Sequence, residues 1–162
     1  ARMTAIWRSA SASARRKERI ASRVSARRAS SASRSAWARL TPGGARPAAV
    51  APRAELPFAK SGKIPHVDAL PVWSVWCIRV RPGHRGKGVS HALLQGAIEY
   101  ARSQGAPAIE GYPVDNQGAR VNLTMAYVGT RRLFEKAGFT KAADTDSVSG
   151  GFPRVVMRLA LA

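Results

Sequence analysis

The sequence predicts an α/β domain with a mixed β-sheet flanked by helices, in which the N-terminal strands and helices are hard to recognise. Two observations support this class: hydrophobic patterns alternate between strand and helix after Val50, and a glycine-rich turn joins the clearest strand to the clearest helix. A chain of 162 residues with 45% apolar composition can form one core of ordinary size. We therefore expect one folded domain over residues 48–162.

Residues 1–47 differ from the rest because Ala, Ser and Arg dominate them. Before Val50, the only Leu, Ile and Val side chains are Ile6, Ile20, Val24 and Leu40. Such a segment buries too little apolar area to offset the entropy lost on ordering, so we expect it to be poorly ordered or helical. A divergent native arm, an out-of-frame translation and the composition of an organelle transit peptide all remain open explanations.

The formal net charge of +18 raises the alternative of a nucleic-acid-binding protein. About twelve of the 27 basic residues lie within residues 1–46, so much of this charge is separable from the domain. The single cysteine, Cys77, excludes an internal disulfide and is expected to be an inert core residue. This cysteine usage fits a cytoplasmic location, and no apolar run is long enough to predict a membrane span.

The predicted elements follow in the order strand, helix, strand, helix, strand. The first strand, residues 71–80, is rich in β-branched and aromatic residues, and a turn follows it at Pro82 and Gly83. A helix over residues 90–103 has helical apolar spacing, Ser90 as its expected N-cap and Gly105 beyond its end. The remaining elements are a strand at 106–115, a helix at 130–137 and a strand at 152–161.

The turn between the first strand and the first helix has the chemistry of a phosphate-binding loop. Backbone N–H groups and the positive end of a helix dipole converge at such a turn. Gly86 and Gly88 permit close approach of a ligand to the backbone, while Arg85 and Lys87 add positive charge. The segment fits neither the G-x-G-x-x-G dinucleotide loop, since His91 stands at the third glycine position, nor the G-x-x-x-x-G-K-[ST] triphosphate loop.

Residues 80–94 closely resemble the acyl-CoA-binding motif of the GNAT superfamily of N-acetyltransferases, [QR]-x-x-G-x-[GA]. Arg85 and Gly88 match this motif, and Ser90 replaces its final small residue. Residues 133–139 resemble the closing L-Y-x-x-x-G-F segment of the same family. The resemblance implies a GNAT-like fold and acetyl-CoA as acyl donor, with cofactor contacts from Ile78, Val80, Arg85, Gly86, Lys87, Gly88, Val89, Ser90 and Phe134.

The resemblance further implies direct transfer of an acetyl group to a primary amine. In such a mechanism a backbone N–H near Ile78 polarises the thioester carbonyl. Family members often carry a tyrosine as general acid where this chain has Phe134, so Tyr127 becomes the candidate acid. Glu110 is the candidate base because apolar neighbours can raise the pKa of a carboxyl group, whereas Asp115 and His84 are weaker candidates.

Three functional hypotheses therefore remain: an N-acetyltransferase, a CoA-binding domain without transferase activity, and a basic nucleic-acid-binding protein. We expect a small-molecule or protein amine as acceptor, no membrane partner, and a homodimer as an open assembly state. No histidine pair has metal-ligand spacing, so no metal is expected.

Overall fold

A six-stranded mixed sheet is the centre of the fold. The computed structural model describes residues 36–38, 48–122, 124 and 126–161. Within them the strands are β1 (Ala36–Ala38), β2 (Ala48–Pro52), β3 (Trp73–Ile78), β4 (Ala108–Gly111), β5 (Thr140–Ser149) and β6 (Phe152–Ala160). Their order across the sheet is β1-β2-β3-β4-β6-β5, and only β3 and β4 are parallel neighbours. The predicted α/β class with a mixed sheet is confirmed.

Among the described residues, two α-helices accompany the sheet, α1 (Val89–Ser103) and α2 (Arg131–Glu135). Both were predicted, with small differences at their ends. The N-cap of α1 is Gly88 and not Ser90, because the chain turns through a left-handed conformation at Gly88, with φ of +75°, and Ser90 already lies inside the helix. Thr130 is the N-cap of α2, as predicted.

Strand β5 is absent from the sequence prediction. Its residues are mainly polar or small, and most of its side chains are exposed because it lies at an edge of the sheet. Gly150 and Gly151, with φ of +61° and +84°, form the tight turn that folds β5 back on β6. Pairing with β6, and not the propensity of its own residues, therefore determines this strand.

Most of the prediction for residues 1–47 lies outside the described residues. The exception is Ala36–Ala38, which forms the edge strand β1 and pairs antiparallel with β2. The short stretch Ala48–Pro52, which carries four buried residues, forms the next strand and pairs with β3.

Each face of the sheet has its own apolar cluster. Helix α1 covers one face, where Leu94, Ala97 and Ile98 pack with sheet residues such as Ile109. The other face is covered by the connection between β2 and β3, residues 53–72, which we call the covering segment. Its Phe58 and Ile64 pack with Tyr112 and Val156. Adjacent residues of a strand therefore point to opposite faces of the sheet: in β6, Met157 belongs to the first cluster and Val156 to the second.

Gly111 at the end of β4 leaves room for the buried ring of Phe134. A Cβ added at Gly111 would lie 2.1 Å from Cε1 of that ring, so a larger side chain requires the core to shift. We expect Gly111→Ala to lower the free energy of unfolding by about 1–3 kcal/mol, the usual cost of overpacking. Chemical denaturation measures the change. Gly62→Ala is the control, because no atom lies within 4 Å of its added Cβ; an equal effect of both substitutions would contradict the role of Phe134.

Candidate functional site

A cleft of about 730 Å³ lies where β3 ends. One wall is β3 and the loop that follows it, and the opposite wall is formed by residues between Thr124 and Leu133. A volume of this size is typical of sites for cofactors and other small molecules. The lining residues are Ile78, Arg79, Val80, Arg81, Pro82, Arg85, Gly86, Ser90, Thr124, Ala126, Tyr127, Gly129, Thr130 and Leu133.

The loop between β3 and α1 has the geometry of an anion-binding site. Gly83, Gly86 and Gly88 all have left-handed backbone conformations, with φ of +82°, +72° and +75°. These turns bring the loop to the start of α1, a helix of 15 residues, where N–H groups lack partners from a preceding turn. Phosphate groups bind readily at such a position.

Basic and apolar residues together line the cleft. Arg81 and Arg85 lie beside the glycine loop, and none of the lining residues is acidic. Ile78, Ala126 and Leu133 supply apolar surface away from that loop. The cleft therefore fits an elongated ligand with an anionic end and a less polar arm, as acyl-CoA has.

A sequence model of the Acetyltransferase (GNAT) family matches residues 58–139, about half of the chain. This match includes β3, the glycine loop, α1, β4 and α2. The chain belongs to the GNAT family. The family assignment made from the loop and from residues 133–139 is therefore confirmed.

Similarity to the solved structure of one N-acetyltransferase supports the GNAT fold. The ribosomal-protein-S18-alanine N-acetyltransferase from Escherichia coli is similar with a TM-score of 0.51 and 18% identity, over 89% of this chain and 84% of that chain. A GNAT-family protein from Desulfovibrio desulfuricans has a TM-score of 0.47 and 24% identity, over 71% and 60% of the two chains. YncA from Salmonella typhimurium has a TM-score of 0.46 and 20% identity, over 75% and 62%. No curated protein sequence is significantly similar to this GNAT chain.

This GNAT chain spans about 60% of the length of the first solved structures that it matches. At these levels of identity the likeness concerns the fold.

The predicted cofactor-binding residues of this GNAT domain fall into two groups. Ile78, Val80, Arg85, Gly86 and Ser90 line the cleft. Four others, Lys87, Gly88, Val89 and Phe134, are not among its lining residues.

Phe134 lies in the main core, where it is fully buried and packs edge to face against Phe139 with ring centroids 5.0 Å apart. Its neighbour Leu133 contacts the cleft instead. Phe134 therefore packs in the core beneath the cleft and does not contact the space inside it.

The backbone of Ile78 makes a hydrogen bond inside the protein. Its N–H donates to the carbonyl oxygen of Tyr127 at 2.6 Å. The family resemblance implies that an N–H near Ile78 polarises the thioester, and the N–H of Ile78 itself is already bonded to Tyr127. A thioester in the cleft would have to use another N–H of this region.

Tyr127, the predicted general acid, does line the cleft. Tyr127 precedes α2 and lies in a turn over residues 126–128, which brings it to the cleft. The guanidinium of Arg79 lies over its ring at 5.6 Å from the centroid, a cation–π contact that holds the ring in place. The role of its hydroxyl stays a prediction.

Glu110, the predicted base, lies in a buried polar network. It is 1% exposed, and Oε2 accepts hydrogen bonds from Nη1 of Arg53 at 3.0 Å and from the hydroxyl of Tyr112 at 2.9 Å. Nε of Arg158 is 3.4 Å from its other oxygen. Glu110 is not among the residues that line the cleft. Its assignment as the base stays a prediction, and its observed contacts are those of an ion pair inside the protein.

Arg53 and Tyr112, which the sequence did not single out, complete this network. Arg53 is 3% exposed and also donates to the carbonyl of Ile64 at 3.0 Å, which ties the covering segment to the sheet. Tyr112 also bonds to Ser74 at 2.8 Å. Burial, together with the charge of Glu110, raises the pKa of Tyr112, so it remains a neutral donor. The only feature of the sequence that indicated this network was Arg53, which directly follows the apolar strand β2.

The other candidate groups have structural surroundings. Asp115 forms an ion pair with Arg131 at 2.9 Å, and His84 lies in the exposed glycine loop. Burial raises the pKa of the Cys77 thiol, which disfavours the reactive thiolate. In the described part of the chain, no group of three or more His, Cys, Asp or Glu residues could hold a metal ion. No described helix has the length and apolar character needed to cross a membrane.

Proposed function

We propose that this GNAT domain transfers an acetyl group from acetyl-CoA to a primary amine by direct attack. The observation that carries the proposal is that one cleft combines the glycine loop at the start of α1 with an apolar end beside Ile78. Family membership supports the same chemistry. In the reaction, a carbon–nitrogen bond forms as the carbon–sulfur bond breaks, the amine loses a proton, and CoA leaves as a thiolate.

The roles of this chain's residues follow from their positions. Backbone N–H groups of the loop around Gly86, with the charge of Arg85, bind the pyrophosphate. Val80 lies two residues beyond the end of β3 and lines the cleft, so its backbone is placed to pair with the arm of the ligand. Acetyl-CoA supplies a leaving thiol whose ordinary pKa is near that of cysteine, about 8.5. Departure as a thiolate is therefore feasible near neutral pH, and Tyr127 is the residue proposed to donate a proton where one is required.

Calorimetric titration of the whole chain with acetyl-CoA tests the proposal. We expect saturable binding of one acetyl-CoA per chain. ADP is the control ligand, because it has a pyrophosphate but no pantetheine arm, and we expect it to bind at least about tenfold more weakly since it leaves the apolar end of the cleft unfilled. Absence of acetyl-CoA binding would overturn the proposed function.

A CoA-binding domain without transferase activity is the second candidate. The hydrogen bond from Ile78 to Tyr127 favours it, because the N–H expected to polarise the thioester is already engaged. Release of free CoA from acetyl-CoA, followed with a thiol reagent in the presence of peptide and polyamine acceptors, distinguishes the two. Binding with no acceptor-dependent release across these amines would favour the second candidate.

A further inference from the structure

The gap between the ends of β3 and β4 is filled by the protein itself. These two strands pair in parallel only as far as Val75 and Gly111. Beyond this point residues 126–131, which we call the wall segment, lie between the end of β3 and the residues that follow β4. The inner end of the cleft is therefore bounded by polypeptide.

Hydrogen bonds join the wall segment to both sides of the gap. On the β3 side, the N–H of Ile78 donates to the carbonyl of Tyr127 at 2.6 Å. On the β4 side, the N–H of Val114 donates to the carbonyl of Gly129 at 3.1 Å, and the N–H of Arg131 donates to the carbonyl of Val114 at 2.8 Å. The wall segment thus bridges the two strands through a turn, in which the N–H of Gly129 donates to the carbonyl of Ala126 at 2.9 Å, and an isolated β-bridge between Val114 and Thr130.

Side-chain packing holds the wall segment in the same position. Ala126 and Val128 are 6% and 2% exposed and pack with Val114, which is fully buried. Gly129 has a φ of +86°, and a Cβ added there would lie 3.1 Å from the ring of Phe134 and 3.2 Å from a methyl group of Leu133. A larger side chain at this position would therefore require its neighbours to shift. A segment buried and bonded on both sides behaves as a wall and not as a mobile cover.

The orientation of a ligand in the cleft follows from its charges. Its anionic end binds at the glycine loop, so its other end points along β3 toward Ile78 and meets Tyr127. Arg79, stacked on the Tyr127 ring at 5.6 Å, keeps that ring from moving aside. We infer that Tyr127 closes the acyl end of the cleft and makes the domain selective for acyl groups as short as acetyl. This inference rests on the proposed function.

Binding of acetyl-CoA and butyryl-CoA, measured by calorimetry, tests whether Tyr127 of the wall segment limits the length of the acyl group. Each methylene accommodated on an apolar surface raises affinity about fourfold, so an open site would prefer butyryl-CoA. We expect the wild-type chain to bind butyryl-CoA at least tenfold more weakly than acetyl-CoA. Tyr127→Ala should shift this ratio at least tenfold toward butyryl-CoA, whereas Tyr127→Phe, which keeps the ring, should leave it unchanged.

Tyr100→Ala is the matched control, because it removes the same atoms from a partly buried tyrosine that packs on Trp73 and is not a lining residue of the cleft. It should leave the ratio unchanged. If the wild-type chain binds butyryl-CoA as tightly as acetyl-CoA, the inference that Tyr127 limits acyl length is overturned, while the proposed function stays intact. Failure to bind either ligand would overturn the proposed function. A second measurement needs no variant: the Ile78 amide should exchange slowly with solvent in the free protein, and rapid exchange would contradict the wall.

Discussion

Gly88→Glu is expected to weaken acetyl-CoA binding by about five- to a thousandfold. The substitution places a carboxylate at the start of α1, beside the proposed pyrophosphate. Two unit charges about 4 Å apart repel by about 1 kcal/mol in water and about 4 kcal/mol at the effective dielectric near a protein surface. Because the loop is exposed, the effect should lie between these limits. Calorimetric titration of the variant measures it.

Gly105→Glu is the matched control for this substitution. Gly105 lies just beyond the other end of α1, has the same φ of +75°, and has no atom within 4 Å of an added Cβ. Both variants therefore carry the same added charge and the same backbone strain, and only Gly88 belongs to the glycine loop that borders the cleft. Equal losses of acetyl-CoA affinity in the two variants would show that strain in α1, and not the phosphate site, accounts for the effect.

Glu110→Gln is expected to lower the free energy of unfolding by about 3–5 kcal/mol. The substitution leaves the guanidinium of Arg53 buried without its charged partner, and removal of one member of a buried ion pair has this cost. The hydroxyl of Tyr112 also loses a charged acceptor. Urea denaturation of the variant and of the wild-type chain measures the difference.

Two further variants separate the ion pair from other effects. Glu99→Gln makes the same chemical change on the exposed side of α1 and should alter stability by less than about 0.5 kcal/mol. The double variant Arg53→Met, Glu110→Met should recover most of the loss, because it leaves neither charge unpaired. A Glu110→Gln chain of wild-type stability that loses acetyl transfer would instead identify Glu110 as the base.

Local patterns were sufficient for the elements that carry the proposed cofactor site. Helix α1, strand β3 and the glycine loop between them were predicted because hydrophobic spacing and glycine positions act within about fifteen residues. The phosphate-binding interpretation of Arg85 and Gly86 required nothing beyond that stretch. Strand β5 was missed because its polar residues carry no strand signal before they pair with β6.

The roles of Glu110 and Ile78 depended on contacts that no local pattern reveals. Arg53 is 57 positions from Glu110 in the sequence. Tyr127, whose carbonyl oxygen accepts the hydrogen bond from the Ile78 N–H, is also far from Ile78 in the sequence. The sequence by itself therefore determined the fold class and the family, and it predicted the phosphate loop. Only the tertiary structure decided that Glu110 is held in an ion pair and that the carbonyl of Tyr127 accepts a hydrogen bond from the Ile78 N–H, because packing of distant segments creates both environments.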